Sequence, residues 1–172
     1  MKTTRKGFTL IELLIVISII GILAVAFLPS LLGAPAKGRD AQRLATVQKI
    51  TNFLVTESLA GNEMPATGCI VPGDNASAIG TLIASNLSDF GGVFPVDPQV
   101  DHANTIKDQA ACTGMYGYYK YAAGDYKAAV YVTLENEDSA NAICETFVFG
   151  DPVLGKVSPG ANQTPCYVSL VQ

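Results

Sequence analysis

The chain has 172 residues, of which 49% are hydrophobic and 15% charged, and its formal net charge is −4. This length accommodates one ordinary globular domain in addition to a long apolar segment near the N-terminus. An acidic chain with few charges is a poor general nucleic-acid binder, because phosphate contacts need clustered Lys and Arg. We therefore predict no direct nucleic-acid binding.

A short basic leader, residues 1–7, is followed directly by an apolar stretch from Phe8 to Leu32. About 20 apolar residues suffice to span a bilayer. Glu12 is the one carboxylate in this stretch, and an acidic residue at the bilayer centre costs about 2.5–3.5 kcal/mol. Such a residue is a candidate functional residue that needs a cationic partner. The nearest candidate is the amino group that cleavage between Gly7 and Phe8 would create.

The start of the apolar stretch resembles the processing site of type IV pilins and the related pseudopilins, in the segment Gly7-Phe8-Thr9-Leu10-Ile11-Glu12-Leu13-Leu14-Ile15-Val16. The resemblance implies that a prepilin peptidase cuts after Gly7 on the cytoplasmic side and N-methylates Phe8. It also implies that Glu12 pairs with the Phe8 amine of a neighbouring subunit during filament assembly. The resemblance covers the leader, the apolar stretch with Gly21 and Pro29, and the helical segment that follows it. The rest of the chain resembles the family only in layout.

Two other interpretations of the N-terminus explain less. A removable secretory signal has an apolar core of about 7–15 residues, which is shorter than this stretch, although Ala34-Pro35-Ala36 imitates its cleavage site. A plain single-span anchor fits the length but leaves Glu12 and the Gly7–Phe8 junction unexplained.

The apolar segment continues into a polar stem. Proline removes a backbone donor and clashes with the preceding turn, so we predict helix kinks at Pro29 and Pro35, with Gly21 as a further kink position. After residue 36 the pattern is amphipathic, and Gly61-Asn62 is a stop signal. The expected buried stripe is Ala41, Leu44, Val47, Ile50 and Leu54. Arg43, Gln48, Lys49 and Asn52 are expected largely on the other faces.

The rest of the chain, residues 62–172, is predicted to form a globular head in which strands follow irregular segments. A short helix is predicted from residue 76 to about residue 87, where Ile79, Leu82 and Ile83 are apolar. A hairpin is predicted from Tyr116–Ala122 and Tyr126–Glu135, and short strands from Glu145–Phe149 and Cys166–Val171. The fold class is therefore α+β, with a long N-terminal hydrophobic helix packed on an antiparallel sheet of about four strands.

Four cysteines lie in the head and contain no C-x-x-C pair or other zinc spacing. An even number of cysteines outside the cytoplasm indicates two disulfides, and four cysteines allow three pairings. We favour Cys69–Cys112 and Cys144–Cys166 because both close sequence-local loops. Four reduced thiols are the alternative.

No pattern predicts a catalytic, metal or cofactor site. The loop carboxylates have no fixed calcium-ligand spacing; they are Asp89, Asp97, Asp101 and Asp108. No nucleophile, base and acid are spaced for catalysis, so we predict no enzyme, metal or cofactor. The clustered tyrosines favour sheet packing over a ligand cage or charge-hopping path. Three glycosylation triplets are short enough to arise by chance; they begin at Asn75, Asn86 and Asn162.

Taken with the resemblance, these features predict four segments: leader 1–7, hydrophobic membrane or filament-core helix 8–35, amphipathic stem 36–61 and globular head 62–172. The resemblance implies a structural subunit of a type IV pilus-like filament that assembles with copies of itself. Its other implied partners are the prepilin peptidase and an inner-membrane assembly platform. The precursor would lie in the inner membrane as a single-pass protein with its head outside, and the assembled filament would be extracellular.

Two functional alternatives stay open. One is a pseudopilin of a secretion or DNA-uptake system, and the other is a membrane-tethered binding domain that never polymerises. Orientation rests on the processing motif, because Lys37, Arg39 and Arg43 follow the apolar stretch and weaken the positive-inside signal.

Overall fold

The computed structural model describes residues 7–72 and 77–172. They fall into two compact units, of which the first ends at Pro35 and the second runs from Ala36 to Gln172. We describe each unit by itself.

The first unit contains helix α1, Leu10–Leu32. The segment Leu10–Phe27 is long and apolar enough to cross a membrane. The helix continues through Gly21 and Pro29, and a turn at Gly33 separates it from the next helix. The kinks at Gly21, Pro29 and Pro35 remain predictions. Pro35 lies in the first turn of that next helix, where a missing N–H removes no helical hydrogen bond.

Helix α2 spans Ala34–Leu59 and ends at the predicted stop signal. Gly61 has a φ of 81°, which favours glycine. Its N–H donates to the Ser58 carbonyl, and the Asn62 N–H donates to the Glu57 carbonyl at 3.1 Å. These two bonds form a Schellman cap, which satisfies the last carbonyls of the helix.

The buried face of α2 differs from the predicted stripe at two positions. Val47, Ile50 and Leu54 are fully buried as expected. Ala41 is exposed, and Arg43 is fully buried, so both predictions were wrong. Arg43 lies four residues before Val47 and therefore shares its face, and carboxylates from distant segments surround its guanidinium.

The second unit also contains a five-stranded antiparallel sheet in the order β1-β4-β5-β7-β6 and a two-stranded sheet, β2-β3. The strands are β1 Gly68–Cys69, β2 Ala103–Asn104, β3 Cys112–Thr113, β4 Gly117–Lys120, β5 Ala128–Thr133, β6 Ala142–Ile143 and β7 Pro165–Val171. Helix α3 spans Ala78–Ser85, and two short 3-10 helices span Leu87–Phe90 and Glu137–Ser139. The α+β class is confirmed.

The central strand β5 is buried along its whole length because both faces of the sheet are covered. On one face Val130 and Val132 belong to a cluster that includes Ile50 and Leu54 of α2. On the other face Ala129 and Tyr131 belong to a second cluster, with Phe147, Phe149 and Val168. A strand covered on both faces has a continuous apolar sequence, which here ends at Thr133.

The predicted strand Glu145–Phe149 was wrong, because this segment forms turns. Phe147 and Phe149 are buried against the second face of the sheet, and the Phe149 ring stacks on Tyr119 with centroids 4.0 Å apart. These two residues are therefore apolar because they cover a face of the sheet, and not because they pair as a strand within it. Tyr116, Tyr118 and Tyr131 are also packed in the two cores.

Candidate processing and assembly site

The start of α1 is held by a reciprocal pair of hydrogen bonds between Thr9 and Glu12. The Thr9 N–H and hydroxyl both donate to Glu12 Oε2, at 2.8 and 2.6 Å. In return the Glu12 N–H donates to Thr9 Oγ1 at 3.3 Å. This is a capping box, in which each residue satisfies a backbone donor of the other. The carboxylate in the apolar helix thus has partners within its own chain.

This capping role of Glu12 was not predicted from the sequence. The signal was present, because Thr9-Leu10-Ile11-Glu12 fits the pattern of Ser or Thr followed three residues later by Glu. The bonds use Oε2 and leave Oε1 without a hydrogen bond to any described residue. The carboxylate can therefore cap its own helix and still accept a bond from another chain.

The residues at the predicted cleavage site lie outside the helix and are exposed. Phe8 is 90% exposed, and a Cβ added at Gly7 would meet no atom of the described chain within 4 Å. Nothing in the described fold therefore requires glycine at position 7. The leader residues 1–6 lie outside the described residues.

The side chains of α1 that the structure describes form an apolar surface that their own chain does not cover. The segment Leu10–Phe27 is wholly unburied. Its one serine, Ser18, donates to the Leu14 carbonyl at 2.8 Å, so its hydroxyl is satisfied within the helix. An apolar helix that is satisfied in this way needs lipid or other apolar helices around it.

Comparisons with known proteins agree with this arrangement. The family model described as the prokaryotic N-terminal methylation motif matches residues 2–28. The type IV major fimbrial protein FimA of Dichelobacter nodosus is 27% identical over 88% of this chain and 89% of its own length. The chain is therefore similar at its N-terminus to proteins with this methylation motif, and over most of its length to a type IV fimbrial protein.

Two further relatives of this chain differ in the systems that their names describe. The type IV major pilin protein PilE1 of Neisseria gonorrhoeae is 41% identical over 60% of this chain and 49% of its own length. The type II secretion system core protein G of Aeromonas hydrophila is 35% identical over 38% of this chain and 46% of its own length. No solved structure matches the chain.

The basic residues that follow the apolar helix are paired with carboxylates of the head. Lys37 Nζ lies 2.8 Å from Asp138 Oδ2 in an exposed pair. Arg39 Nε donates to Glu135 Oε1 at 2.7 Å. These positive charges, which obscure the orientation signal in the sequence, are therefore neutralised within the folded unit.

Arg43 is the centre of a buried ion network. Its side chain is fully buried and contacts three carboxylates: Asp97 at 2.9 Å, Asp40 at 2.9 Å and Glu135 at 2.7 Å. Asp40 also accepts hydrogen bonds from the Glu135 and Asn136 N–H groups, at 3.0 and 2.8 Å. The network thereby joins α2 to the loop that carries Asp97 and to the end of β5.

In this network, hydrogen bonds lower the pKa values of the carboxylates by more than burial raises them. Hydrogen bonds from Arg39, and then from Arg43, lower the pKa of Glu135 to about 2. Burial raises the pKa of Asp97, but bonds from Arg43, Gln99 and Asn104 outweigh it and hold that pKa below its ordinary value. Both carboxylates are therefore charged at neutral pH.

The four cysteines form two disulfides in the structure, Cys69–Cys112 and Cys144–Cys166. These are the pairs that the sequence favours. The first joins β1 to β3, and the second joins the residue after β6 to β7. The first therefore fixes two strands of two residues each, and the second fixes the turn after β6 to the long strand β7.

The remaining candidate residues do not form a site among the described residues. Asp97 is bound to Arg43 through both carboxylate oxygens, and no group of three His, Cys, Asp or Glu in residues 7–72 and 77–172 is placed to hold a metal ion. Asn86 donates its side-chain amide to the Leu82 carbonyl, and Asn162 is exposed. Asn75 lies outside the described residues.

Proposed function

We propose that this chain is a structural subunit of a type IV pilus-like filament, and that it acts by assembling with copies of itself and not as an enzyme. The observation that carries the proposal is the uncovered apolar surface of α1, with its one carboxylate in the first turn beside the processing motif. Lipid covers this surface in the precursor, and the helices of neighbouring copies cover it in the filament.

Processing makes the precursor competent for assembly. A prepilin peptidase removes residues 1–7 and methylates the new terminal amine of Phe8. The match of the methylation-motif model to residues 2–28 supports this step. The exposed, non-helical junction at Gly7 and Phe8 also supports it, because a peptidase needs accessible backbone.

Assembly is directed by the charge of Glu12. A neighbouring subunit brings its Phe8 amine to Glu12, whose Oε1 is not used by the capping box. The pair forms at one axial stagger only, so it selects the register of the docking subunit as well as attracting it. The glycine and prolines at 21, 29 and 35 are the proposed kink positions of the hydrophobic segment 8–35.

Location and partners follow from this role. The precursor lies in the inner membrane with segment 8–35 in the bilayer and residues 36–61 and 62–172 outside as stem and head. An inner-membrane assembly platform extracts it into a filament on the cell surface. The long match to a protein named as a major fimbrial protein favours a pilus subunit over a pseudopilin, whose match covers 38% of this chain.

N-terminal sequencing of the mature protein, combined with electron microscopy of cells with and without the chain, tests the proposal. We expect a start at N-methylated Phe8 and filaments that disappear when the chain is deleted. A start at Met1 without filaments would identify the membrane-tethered domain. A start at Lys37 would identify a secreted domain, and short periplasmic filaments with loss of secretion would identify a pseudopilin.

A further inference from the structure

A cavity of about 460 Å³ lies between the β4–β5 turn and the loop that follows α2. It is larger than the two cavities along α2 that Lys49 lines, which measure about 260 and 320 Å³. Its polar and aromatic lining is Asn62, Glu63, Lys120, Tyr121, Tyr126 and Lys127. Neither the processing motif nor the assembly mechanism uses any of these residues.

The walls of the cavity are held in place by hydrogen bonds within the head. The Tyr121 N–H donates to the Lys127 carbonyl at 2.9 Å and closes the turn, and the Lys127 N–H donates to the Val171 carbonyl at 2.7 Å. On the opposite wall the Asn62 amide donates to Glu57 at 2.8 Å. The site is therefore preformed, which lowers the entropy cost of binding.

Two tyrosine rings line the cavity at an angle to each other. Tyr121 and Tyr126 have centroids 6.0 Å apart with planes tilted by 47°. The Tyr121 ring is further supported edge-on by Tyr119 at 5.1 Å. Its hydroxyl is buried and has no hydrogen-bond partner among the described residues, although a buried tyrosine hydroxyl usually has one.

The charges of the lining leave one ammonium available. Lys120 is paired with Glu63 at 2.8 Å, so these two charges neutralise each other. Lys127 Nζ donates to the Ser58 hydroxyl at 2.7 Å and forms no ion pair with a described carboxylate. An ammonium has three donors, so two remain for a ligand.

We propose that this cavity binds an acidic saccharide of the hexuronate type. The C–H face of a pyranose ring packs on the Tyr126 ring, because both surfaces are apolar and flat. Its hydroxyls exchange hydrogen bonds with Asn62 and Glu63, which together offer donors and acceptors. Its carboxylate binds the Lys127 ammonium. The small residues of the turn at 122–124 leave room for the ring.

The test uses the full-length chain in detergent micelles, titrated calorimetrically with trigalacturonate and with neutral galactotriose. We expect binding of trigalacturonate and at least ten-fold weaker binding of galactotriose. Lys127→Gln should weaken trigalacturonate binding roughly ten-fold, the loss expected for one charge-assisted hydrogen bond. Tyr126→Ala should weaken both sugars, whereas Tyr126→Phe, which keeps the ring, should not.

The matched control is Lys156→Gln, which removes an exposed lysine outside the cavity lining and should leave binding unchanged. Each variant is first checked for both disulfides and an unaltered melting temperature. Absence of trigalacturonate binding would overturn the proposal, as would equal binding of the neutral sugar. Equal loss in the two lysine variants, or equal binding of a DNA oligonucleotide of the same charge, would show nonspecific attraction and overturn it as well.

Discussion

Arg43 and Asp97 form a two-pronged ion pair in which Nε and Nη2 of the guanidinium each donate to a different carboxylate oxygen at 2.9 Å. Both side chains are fully buried. A buried ion pair repays its desolvation only when its geometry is good and its other hydrogen-bonding groups are satisfied. Here Asp40, Glu135 and Gln99 accept the remaining guanidinium bonds, so the network fixes α2 on the head.

We predict that Arg43→Leu destabilises the head by about 3–5 kcal/mol, because it leaves Asp97 buried without its counter-charge. Arg43→Lys should also destabilise, since a lysine cannot reproduce the bidentate contact. Denaturant unfolding of the full-length protein in detergent, followed by tyrosine fluorescence, measures both. The control is Arg39→Leu at the more exposed pair with Glu135, where the loss should be much smaller than at position 43. Equal losses at positions 39 and 43 would contradict the role of burial.

The same network predicts that acid destabilises the head. The pKa of Glu135 is lowered from 4.5 to about 2 in the folded chain. A carboxylate with a depressed pKa stabilises the fold fully above its unfolded pKa, and this stabilisation is lost as pH falls through the folded value. Stability should therefore fall between about pH 4.5 and pH 2. In Glu135→Gln this part of the dependence should disappear, as thermal unfolding at a series of pH values would reveal. An unchanged pH dependence of stability in Glu135→Gln would mean that other carboxylates cause the loss of stability in acid.

The position of Arg43 also shows what local sequence patterns cannot predict. Helical periodicity correctly placed Val47, Ile50 and Leu54 in the core, because apolar spacing is a local property. The charge of Arg43 indicated solvent, and its true surroundings depend on Asp97 and Glu135, which are distant in sequence. By contrast, the capping partner of Glu12 could be predicted from the sequence, because Thr9 lies only three residues before it.

A similar limit applies to the segment 145–149. Its apolar residues suggested a strand, but burial against a sheet and pairing within it favour the same residue types. The choice between them depends on whether a neighbouring strand offers a free edge. Here β6 pairs with β7 over two residues only, and the chain then turns so that Phe147 covers the second face of the sheet.

One substitution at the processing site distinguishes an effect on cleavage by the peptidase from an effect on folding of the chain. Gly7→Val should leave uncut precursor in the membrane, because a side chain at the junction obstructs the approach of the peptidase to the backbone. The chain itself should insert and fold normally, since a Cβ at position 7 meets no described atom. Mass spectrometry of membrane fractions measures the leader, and both disulfides should be present as the control. Normal cleavage of this variant would refute the assigned site.

The disulfides predict a stability difference that does not depend on assembly. Replacing both Cys144 and Cys166 by alanine should destabilise the head by about 2–5 kcal/mol, the usual loss for a native bridge in a small secreted domain. Guanidinium unfolding of the oxidised protein provides the measurement. Non-reducing mass spectrometry should find two crosslinks in the wild-type chain and one, Cys69–Cys112, in the variant. Free thiols at all four positions of native filaments would contradict the prediction.

The capping box makes it possible to separate the two roles of Glu12. Glu12→Gln removes the charge but keeps an acceptor that can bind the Thr9 N–H, since capping boxes use Glu or Gln. Thr9→Ala keeps the charge but removes the hydroxyl, and loss of an N-cap side chain costs about 0.5–2 kcal/mol of helix stability. If the charge directs assembly, Glu12→Gln should insert and be cleaved and yet form few filaments, with mature protein accumulating in the inner membrane.

The Thr9→Ala variant should in that case assemble much better than Glu12→Gln, because its carboxylate can still meet the Phe8 amine of a neighbour. Quantifying sheared filaments against membrane-bound mature subunit gives the yield of each variant, and Ser18→Ala, which removes another helix hydroxyl bound within its own chain, is the matched control. The reverse order of yields, with Thr9→Ala impaired and Glu12→Gln normal, would show that Glu12 serves α1 as a cap and that no charge pair sets the register. Normal yields in both would leave the carboxylate without a part in assembly, and the proposed docking mechanism would then be wrong even though the similarity to type IV pilins stands.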